Sequence, residues 1–308
     1  MMSRWSCICS ILLTLLLIHC GSQKQKPGKI LIGVGITNSQ HSYYIELTRG
    51  YKSAAESLGV EIVLNDAKFD AANQASAMED FLTRGVKAII VAPVTPGSLE
   101  PFAEEAQREK IPIISESSQI KGETCFVATD NYKGGFIGGE YAGKILKEKG
   151  IDKPKVAYLG APKFPVCILR EKGFIDGMKS VLPGVDFVAL QDGQGIMEIS
   201  LTVAENILQA NPHLDCIGAI NDASALGSLA ALEAAHRTET IVIGFDGGED
   251  GRAAIRRGSS MIASSAQRPF LIARTCMEMA VKAAQGIPVP PVVRIEPVLI
   301  TRENLDSF

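Results

Sequence analysis

Two short apolar runs decide the fold: AIIVAP at residues 88–93 and IPIIS at residues 111–115. Both are apolar at successive positions rather than at every second one, a pattern typical of strands that are buried on both faces of a parallel sheet. The stretch between them, residues 98–110, has helical spacing, and a helix is the usual connection between two parallel strands. These runs therefore predict a βαβ unit in a parallel sheet that helices cover on both faces.

Outward from this unit the same alternation repeats. Further strands are predicted at residues 29–36, 61–64, 156–159, 187–190, 216–220, 241–245 and 261–263, and helices at 45–58 and 73–84, with more helices between the later strands. About ten strands are more than one twisted sheet comfortably holds. We therefore predict an α/β fold with two doubly wound parallel-sheet domains, in keeping with a length of 308 residues.

The composition excludes several function classes. The 31 Lys and Arg residues against 34 Asp and Glu residues give a net charge of -3, without the basic surplus that drives nucleic-acid binding. The seven cysteines include no CxxC pair, which argues against a redox motif or a zinc knuckle. We expect buried free thiols at Cys125, Cys167, Cys216 and Cys276, and we expect no metal and no cofactor.

The N-terminus has the features of an export signal. Arg4 precedes an apolar run at residues 11–18, which is shorter than the roughly 20 residues that span a bilayer. Cys20 resembles the lipid-acceptor cysteine of bacterial lipoproteins, although His19 replaces the small residue usual before it. We expect a signal peptide at 1–19, then a lipidated Cys20 and tether at 20–28 that anchor an exported chain to the membrane, in the periplasm or at the outer cell surface. An ordinary cleaved signal and an uncleaved anchor stay open as alternatives.

In doubly wound sheets, ligands bind at the carboxyl ends of the strands. The residues that follow the predicted strands are rich in carboxylates, amides and aromatic rings, at 37–44, 93–95, 116–117, 130–131, 161–170, 221–222, 246–247 and 267–268. Carboxylates and amides each take several hydroxyl hydrogen bonds, and a tyrosine ring can cover the C–H face of a sugar. This composition suits a polyhydroxylated ligand.

Several motifs occur in these segments in one order. They are Thr129-Asp130-Asn131 with Gly134-Gly135, Arg170-Glu171-Lys172-Gly173-Phe174, Asn221-Asp222 with Ala225-Leu226-Gly227, Gly244-Phe245-Asp246-Gly247, and Gln267. In this combination the chain resembles, from about Lys29 to Thr301, the periplasmic sugar-binding proteins of the ribose-binding type, whose core is shared with LacI-type repressors. The resemblance implies the periplasmic binding protein type I fold, in which two doubly wound lobes are joined by a three-segment hinge and close over a ligand.

The resemblance also implies lobe boundaries and a function. The N-terminal lobe would comprise 29–130 and 268–292, and the C-terminal lobe 131–267 and 293–308, with crossovers near Asp130-Asn131, Gln267-Arg268 and Pro291–Arg294. The implied protein is a monomeric extracytoplasmic solute-binding protein of an ABC-type sugar importer, and not an enzyme. Its partners would be a small sugar or polyol and a membrane permease, with no nucleic acid.

The family's ligand contacts fall, position by position, on His41, Tyr43, Tyr44, Glu116, Arg170, Asn221, Asp246 and Gln267. For several of these residues the sequence leaves a structural role open. Tyr43 and Tyr44 can pack beneath the first helix. Asn221 and Asp246 can cap the helices that follow them, and Arg170 can orient its loop by pairing with a carboxylate.

Four positions depart from the ribose-binding pattern. Ser117 and Ile168 stand in place of arginines, Ala92 in place of an asparagine, and Gly195 in place of an aromatic residue. An unpaired hydroxyl in a closed cleft costs about 1–3 kcal/mol, so the loss of three polar contacts and one ring argues against ribose. We expect a different sugar, polyol or related small polar molecule.

Other function classes are weighed against this one. Gly33-Val34-Gly35 begins a dinucleotide fingerprint, but Asn38 occupies the place of its third glycine, which disfavours a nucleotide-dependent oxidoreductase. A repressor would carry a helix-turn-helix headpiece where this chain has an export signal. A ligand-sensing subunit for a chemoreceptor or membrane histidine kinase would share the binding fold, and the sequence does not separate it from a transport protein.

Overall fold

The structure, a computed structural model, describes residues 29–40 and 42–307. Its strands are β1 (Leu31–Ile36), β2 (Glu61–Asp66), β3 (Ala88–Val91), β4 (Ile113–Glu116), β5 (Cys125–Thr129), β6 (Lys155–Gly160), β7 (Asp186–Asp192), β8 (Cys216–Ala219), β9 (Ile241–Asp246), β10 (Met261–Ala266), β11 (Val292–Ile295) and β12 (Val298–Thr301). Its helices are α1 (Ser42–Leu58), α2 (Ala71–Thr83), α3 (Glu100–Arg108), α4 (Asn131–Glu148), α5 (Pro165–Val181), α6 (Met197–Ala210), α7 (Asp222–Ala234), α8 (Glu249–Arg256) and α9 (Pro269–Ala284). Short 3-10 helices lie at Pro96–Leu99 and Leu305–Ser307.

The described strands form two six-stranded sheets. The first has the order β11-β5-β4-β3-β1-β2 and the second the order β12-β10-β9-β8-β6-β7. Neighbouring strands run parallel, except that the edge strand β12 runs antiparallel to β10. Helices pack on both faces of each sheet. The predicted α/β fold with two doubly wound parallel-sheet lobes is confirmed.

Burial explains why the apolar runs became central strands. Every residue of β3, β4 and β5 is buried, whereas the outer strands β2 and β7 are partly exposed. On one face of the first sheet, Ile32 and Tyr51 belong to a core with Met277 of α9. On the other face, Phe81 of α2 and Leu99 belong to a separate core. The four cysteines at positions 125, 167, 216 and 276 are buried free thiols, as predicted.

Within the described residues the chain passes between the sheets after β5, after β10 and after β11. The third passage consists of Glu296 and Pro297. Val293–Ile295, which the resemblance assigns to the second lobe, instead pair with Val127–Thr129 of the first sheet. That part of the expectation is wrong because β11 continues to Ile295 and covers the otherwise unpaired edge of β5. Below, the first lobe means β1–β5, α1–α3, α9 and β11, and the second lobe means α4–α8, β6–β10 and β12.

Helices α4 and α5 of the second lobe approach each other backbone to backbone. A Cβ atom at Gly139 would overlap the carbonyl oxygen of Phe174, and a Cβ atom at Gly135 would overlap the carbonyl oxygen of Arg170. Helices can come this close only where glycine removes the side chain. The contact holds the first turns of α5, which carry Arg170, against the start of α4.

We expect Gly139→Ala to destabilise the protein by about 3 kcal/mol, at the upper end of the usual cost of overpacking, because a backbone carbonyl cannot move aside as a side chain can. Urea denaturation followed by circular dichroism would measure the loss. Gly97→Ala is the matched control, because a Cβ atom there meets nothing within 4 Å. Equal losses in the two variants would contradict the packing argument.

Candidate functional site

The first lobe brings Glu116, Tyr43 and Tyr44 together where β4 ends. The hydroxyls of Tyr43 and Ser117 both donate to Oε1 of Glu116. The two tyrosine rings meet edge to face, with their centroids 5.2 Å apart and their planes at 85°. The Glu116 side chain is fully buried, and its Oε2 has no hydrogen-bond partner among the described residues. Glu116 thus carries a buried acceptor atom that receives no hydrogen bond from the described residues.

Burial governs the ionisation of this group. It raises the pKa of the Glu116 carboxyl from 4.5 to about 7, and the hydrogen bonds from Ser117 and Tyr43 only partly oppose that rise. Burial removes water that would stabilise the charged carboxylate, so the neutral form is favoured. Burial, with the Glu116 carboxylate as a second cause, also raises the pKa of Tyr43 and of Tyr44. Both phenols therefore stay protonated at neutral pH, and that of Tyr43 donates to Glu116.

In the second lobe, Arg170 is fixed from several sides. Its Nε donates to Oδ1 of Asn131 at 2.8 Å, and its Nη1 donates to the carbonyl oxygen of Ile220 at 2.9 Å. The guanidinium carbon lies 3.9 Å from the centre of the Phe245 ring, and Nη1 lies 3.6 Å from Oδ1 of Asp246. The sequence left open whether Arg170 pairs with a carboxylate, and the structure shows that it pairs with Asp246.

Asp246 and Gln267 connect this lobe to the first. Nε2 of Gln267 donates to Oδ1 of Asp246 at 2.6 Å, and Oγ1 of Thr129, at the end of β5, donates to Oε1 of Gln267 at 3.2 Å. Asp246 has a φ of 115°, a conformation that costs a non-glycine residue about 1–3 kcal/mol and that is often found at functional sites. Gln267 is therefore bonded both to Thr129 and to Asp246, which are distant from each other in sequence.

Tyr44 lies close enough to carboxylates at the ends of both sheets for each of them to affect its pKa. The carboxylates of both Glu116 and Asp246 raise the pKa of Tyr44. The structure thus brings Tyr43, Tyr44 and Glu116 of the first lobe to the same region as Arg170, Asp246 and Gln267. We call these six residues the inter-lobe site.

The structure distinguishes between the two residues for which helix capping was an open alternative. Asn221 is the N-cap of α7: its Oδ1 accepts from the backbone N–H of Ser224 at 2.8 Å, and its Nδ2 donates to the carbonyl oxygen of Gly195 at 2.9 Å. Asp246 is not a cap, because α8 begins after Gly248. The capping role therefore applies to Asn221 and not to Asp246.

Asp222 is a buried carboxylate that the sequence reading left without a role. It accepts from the backbone N–H of Gly248 at 2.7 Å and from Oγ of Ser264 at 2.6 Å. Burial and the nearby Asp246 carboxylate raise the pKa of Asp222 above its ordinary value. Added Cβ atoms at Gly244 and Gly251 would collide with its carboxylate, so the glycines around it were the signal in the sequence. Asp222 braces the loop that carries Asp246.

The positions that depart from the ribose-binding pattern differ in their surroundings. Ser117 donates to Glu116, and the carbonyl oxygen of Gly195 accepts from Nδ2 of Asn221. Ile168, on the first turns of α5, is 50% exposed, and Phe164 just before that helix is 51% exposed. The carbonyl oxygen of Ala92 accepts hydrogen bonds from Nε2 of Gln74 and Oγ1 of Thr37. The sequence reading missed Gln74, a buried side chain that fixes the loop after β3.

Two predicted site residues cannot be placed. His41 and Cys20 lie outside the residues that the structure describes. The signal peptide and tether, residues 1–28, lie outside them as well. In residues 29–40 and 42–307, no group of three or more histidine, cysteine or acidic side chains is arranged to hold a metal ion.

Comparison with known proteins assigns the chain to a family. A family profile described as "Periplasmic binding protein domain" matches residues 32–288, most of both lobes. The chain belongs to this family. Membership implies an exported, periplasmic protein with a solute-binding role, the class that the sequence motifs indicate. Among the described residues, this periplasmic binding protein has no helix that is both long and apolar enough to cross a bilayer.

Individual relatives resemble this periplasmic binding protein along most of their length. The ribose import binding protein RbsB of Bacillus subtilis (strain 168) is 31% identical over 253 residues, which make up 81% of this chain and 80% of that protein. An ABC transporter solute-binding protein from Mycobacterium smegmatis, solved with bound glycerol, has a TM-score of 0.81 and 28% identity, covering 91% of this chain and 96% of that one. The Caulobacter myo-inositol binding protein, solved with myo-inositol, has a TM-score of 0.78 and 28% identity, covering 90% and 95%.

Glu116 makes the stability of the ligand-free protein depend on pH. The pKa of Glu116 is about 7 in the folded state and near 4.5 when unfolded. Between these values the folded state keeps a proton that the unfolded state releases, so the stabilisation is present at low pH and is lost as pH rises to about 7. From pH 5 to pH 8 the parental protein should therefore lose about 2–3 kcal/mol more than Glu116→Gln.

Urea denaturation at both pH values would measure this difference, in which the contribution of Asp222 cancels. Glu104→Gln, on the exposed face of α3, is the control and should keep the parental pH dependence. If Glu116→Gln also keeps it, the Glu116 carboxyl is not the group responsible.

Proposed function

We propose that this periplasmic binding protein is the solute-binding component of an ABC-type importer and captures a small sugar or polyol between its lobes. The observation that carries the proposal is the inter-lobe site, where side chains from both lobes meet at the carboxyl ends of parallel strands. Open α/β sheets bind ligands at these ends. The names of the similar proteins support the same class, since they are tied to ribose, glycerol and myo-inositol.

The proposed contacts follow from the chemistry of each side chain. Oε2 of Glu116 accepts from a donor group of the solute, and the rings of Tyr43 and Tyr44 cover its C–H surface. Asp246, held by Gln267 and Arg170, accepts from hydroxyls on the opposite side. His41, Asn221, Arg170 and Gln267 complete the proposed set.

Closure is proposed to work by population shift. A solute that touches both lobes binds the closed arrangement more tightly than the open one, so binding favours closure. The connection from Thr129 through Gln267 to Asp246 joins the ends of β5 and β9. It therefore couples the passages between the sheets to the residue proposed to bind the solute. No covalent step is part of this proposal.

The cellular setting is proposed from the N-terminal sequence. Residues 1–19 would be removed as a signal peptide, Cys20 would carry the lipid, and residues 20–28 would tether the chain to the membrane. The chain would act as a monomer that delivers its solute to a membrane permease. The substitutions at Ser117, Ile168, Ala92 and Gly195 favour a solute other than ribose.

A thermal-shift screen of pentoses, hexoses, cyclitols and linear polyols on the mature chain tests this function. A solute present at a hundredfold excess over its Kd adds about 2.7 kcal/mol of stability to the folded state. We expect at least one member of the panel to raise the melting temperature clearly. A folded protein that responds to none of them would count against a sugar or polyol.

We expect Asp246→Asn to weaken binding of the best solute about 10- to 100-fold, since a hydrogen bond to a charged group contributes about 1.5–3 kcal/mol. The melting temperature without solute should change little, because Asn keeps an acceptor for Gln267. Calorimetric titration would measure the affinity. Asp250→Asn, at an exposed position on α8, is the control and should bind as the parental protein does. A large loss of solute-free stability in Asp246→Asn would point to a structural role.

A further inference from the structure

One acceptor atom of Glu116 has no hydrogen-bond donor among the described residues. Its Oε1 accepts from the hydroxyls of Tyr43 and Ser117. Its Oε2 is buried without a hydrogen-bond partner among the described residues, and no part of the side chain is exposed. A buried polar atom in this position costs about 1–3 kcal/mol unless something donates to it. A donor group on a bound solute would remove this cost.

Among the described residues, the titratable groups that interact with Glu116 are neutral tyrosine and cysteine side chains. From α1 it faces Tyr43, Tyr44 and Tyr51, and from α9 it faces Cys276, each of which has its pKa raised in part by the Glu116 charge. Within its own strand and loop the neighbours are Ser115 and Ser117, and in β5 it pairs with Val127. No lysine or arginine of the described residues contributes to the shift in the Glu116 pKa.

The nearby basic side chains pair with carboxylates other than Glu116. Arg170 already faces Asp246 at 3.6 Å and donates to two oxygen atoms of its own lobe. Lys68, after β2, faces Asp66 rather than Glu116. Glu116 is therefore the buried carboxyl of the inter-lobe site that lacks a described cation beside it.

The lack of a described cation beside Glu116 indicates which kind of hydrogen-bond donor would suit it. A hydroxyl group would supply a hydrogen bond but would leave a carboxylate charge buried without compensation. An ammonium group supplies both the hydrogen bond and the opposite charge, and charge-assisted hydrogen bonds are the stronger kind. The adjoining tyrosine rings add to the preference, since the face of an aromatic ring attracts a cation.

We propose that the solute carries a basic nitrogen, as in an amino sugar or amino polyol, and that its ammonium group donates to Oε2 of Glu116. This inference rests on the proposed solute-binding function and narrows its substrate class. The hydroxyls of the same solute would be bound by Asp246 and its neighbours in the second lobe.

Matched pairs of solutes that differ only in this group test the proposal. Suitable pairs are 1-amino-1-deoxysorbitol with sorbitol, glucosamine with glucose, and 2-amino-1,3-propanediol with glycerol. Calorimetric titration of the mature chain at pH 7.5 should show that the amine of the best pair binds at least about tenfold more tightly than its hydroxyl counterpart. Glu116→Gln should remove that preference, and Glu104→Gln should keep it.

Each result has one meaning. If the hydroxyl member of every pair that binds is bound at least as tightly as the amine, the ammonium proposal is overturned and the solute-binding function stands. If the preference survives in Glu116→Gln, the assignment to Glu116 is overturned. If no member of any pair binds to the folded protein, and neutral sugars and polyols give no thermal shift either, the proposed function fails and this inference fails with it.

A measurement on the parental protein keeps the proposal testable if Glu116→Gln does not fold. Protonation of Glu116 removes the charge that the ammonium group needs, and the pKa of Glu116 is about 7. The affinity for 1-amino-1-deoxysorbitol should therefore fall about tenfold between pH 8 and pH 6, while this alkyl ammonium group stays charged. An affinity that does not change over this range would overturn the proposal.

Discussion

A polar connection through Gln267 joins the two lobes, and the rest of the site depends on it. Thr129 donates to Gln267, Gln267 donates to Asp246, and Asp246 lies 3.6 Å from Arg170. Each of these groups is buried or half-buried, so removing one leaves another unpaired at a cost of about 1–3 kcal/mol. Other features hold the two ends of the connection in place. The glycines of α4 seat the first turns of α5, and Asp222 braces the loop after β9.

The charged side chains of the two lobes differ in how many hydrogen-bond partners they have within the protein. In the second lobe, Arg170 and Asp246 have each other and several further partners. In the first lobe, Glu116 has two hydroxyl donors on one oxygen atom and none from the described residues on the other. Binding sites commonly retain such incompletely satisfied groups at a cost to stability, because the ligand supplies the missing partner.

Asp246 and Asn221 show that local sequence alone could not predict which residue caps a helix. Both follow a strand and precede a helix, so both carry the same capping signal. Asn221 caps α7, whereas Gly247, with a φ of 66°, and Gly248 delay the start of α8 and leave Asp246 with Gln267 and Arg170. The role of Asp222 is not a local property, since nothing in its immediate sequence indicates that Ser264 and Gly248 bond to it.

The sequence by itself determined the two-lobed parallel fold and which side chains lie at the ends of the strands, because unbroken apolar runs and strand ends are local properties of the chain. Only the tertiary structure decided which of those side chains meet. Tyr43 and Glu116 are 73 residues apart, and Thr129 and Gln267 are 138 apart. Sheet order also placed β11 beside β5 and moved the third passage beyond Ile295. Partners so distant in sequence are set by how the sheets assemble, and so are the unused oxygen of Glu116 and the raised pKa of its carboxyl.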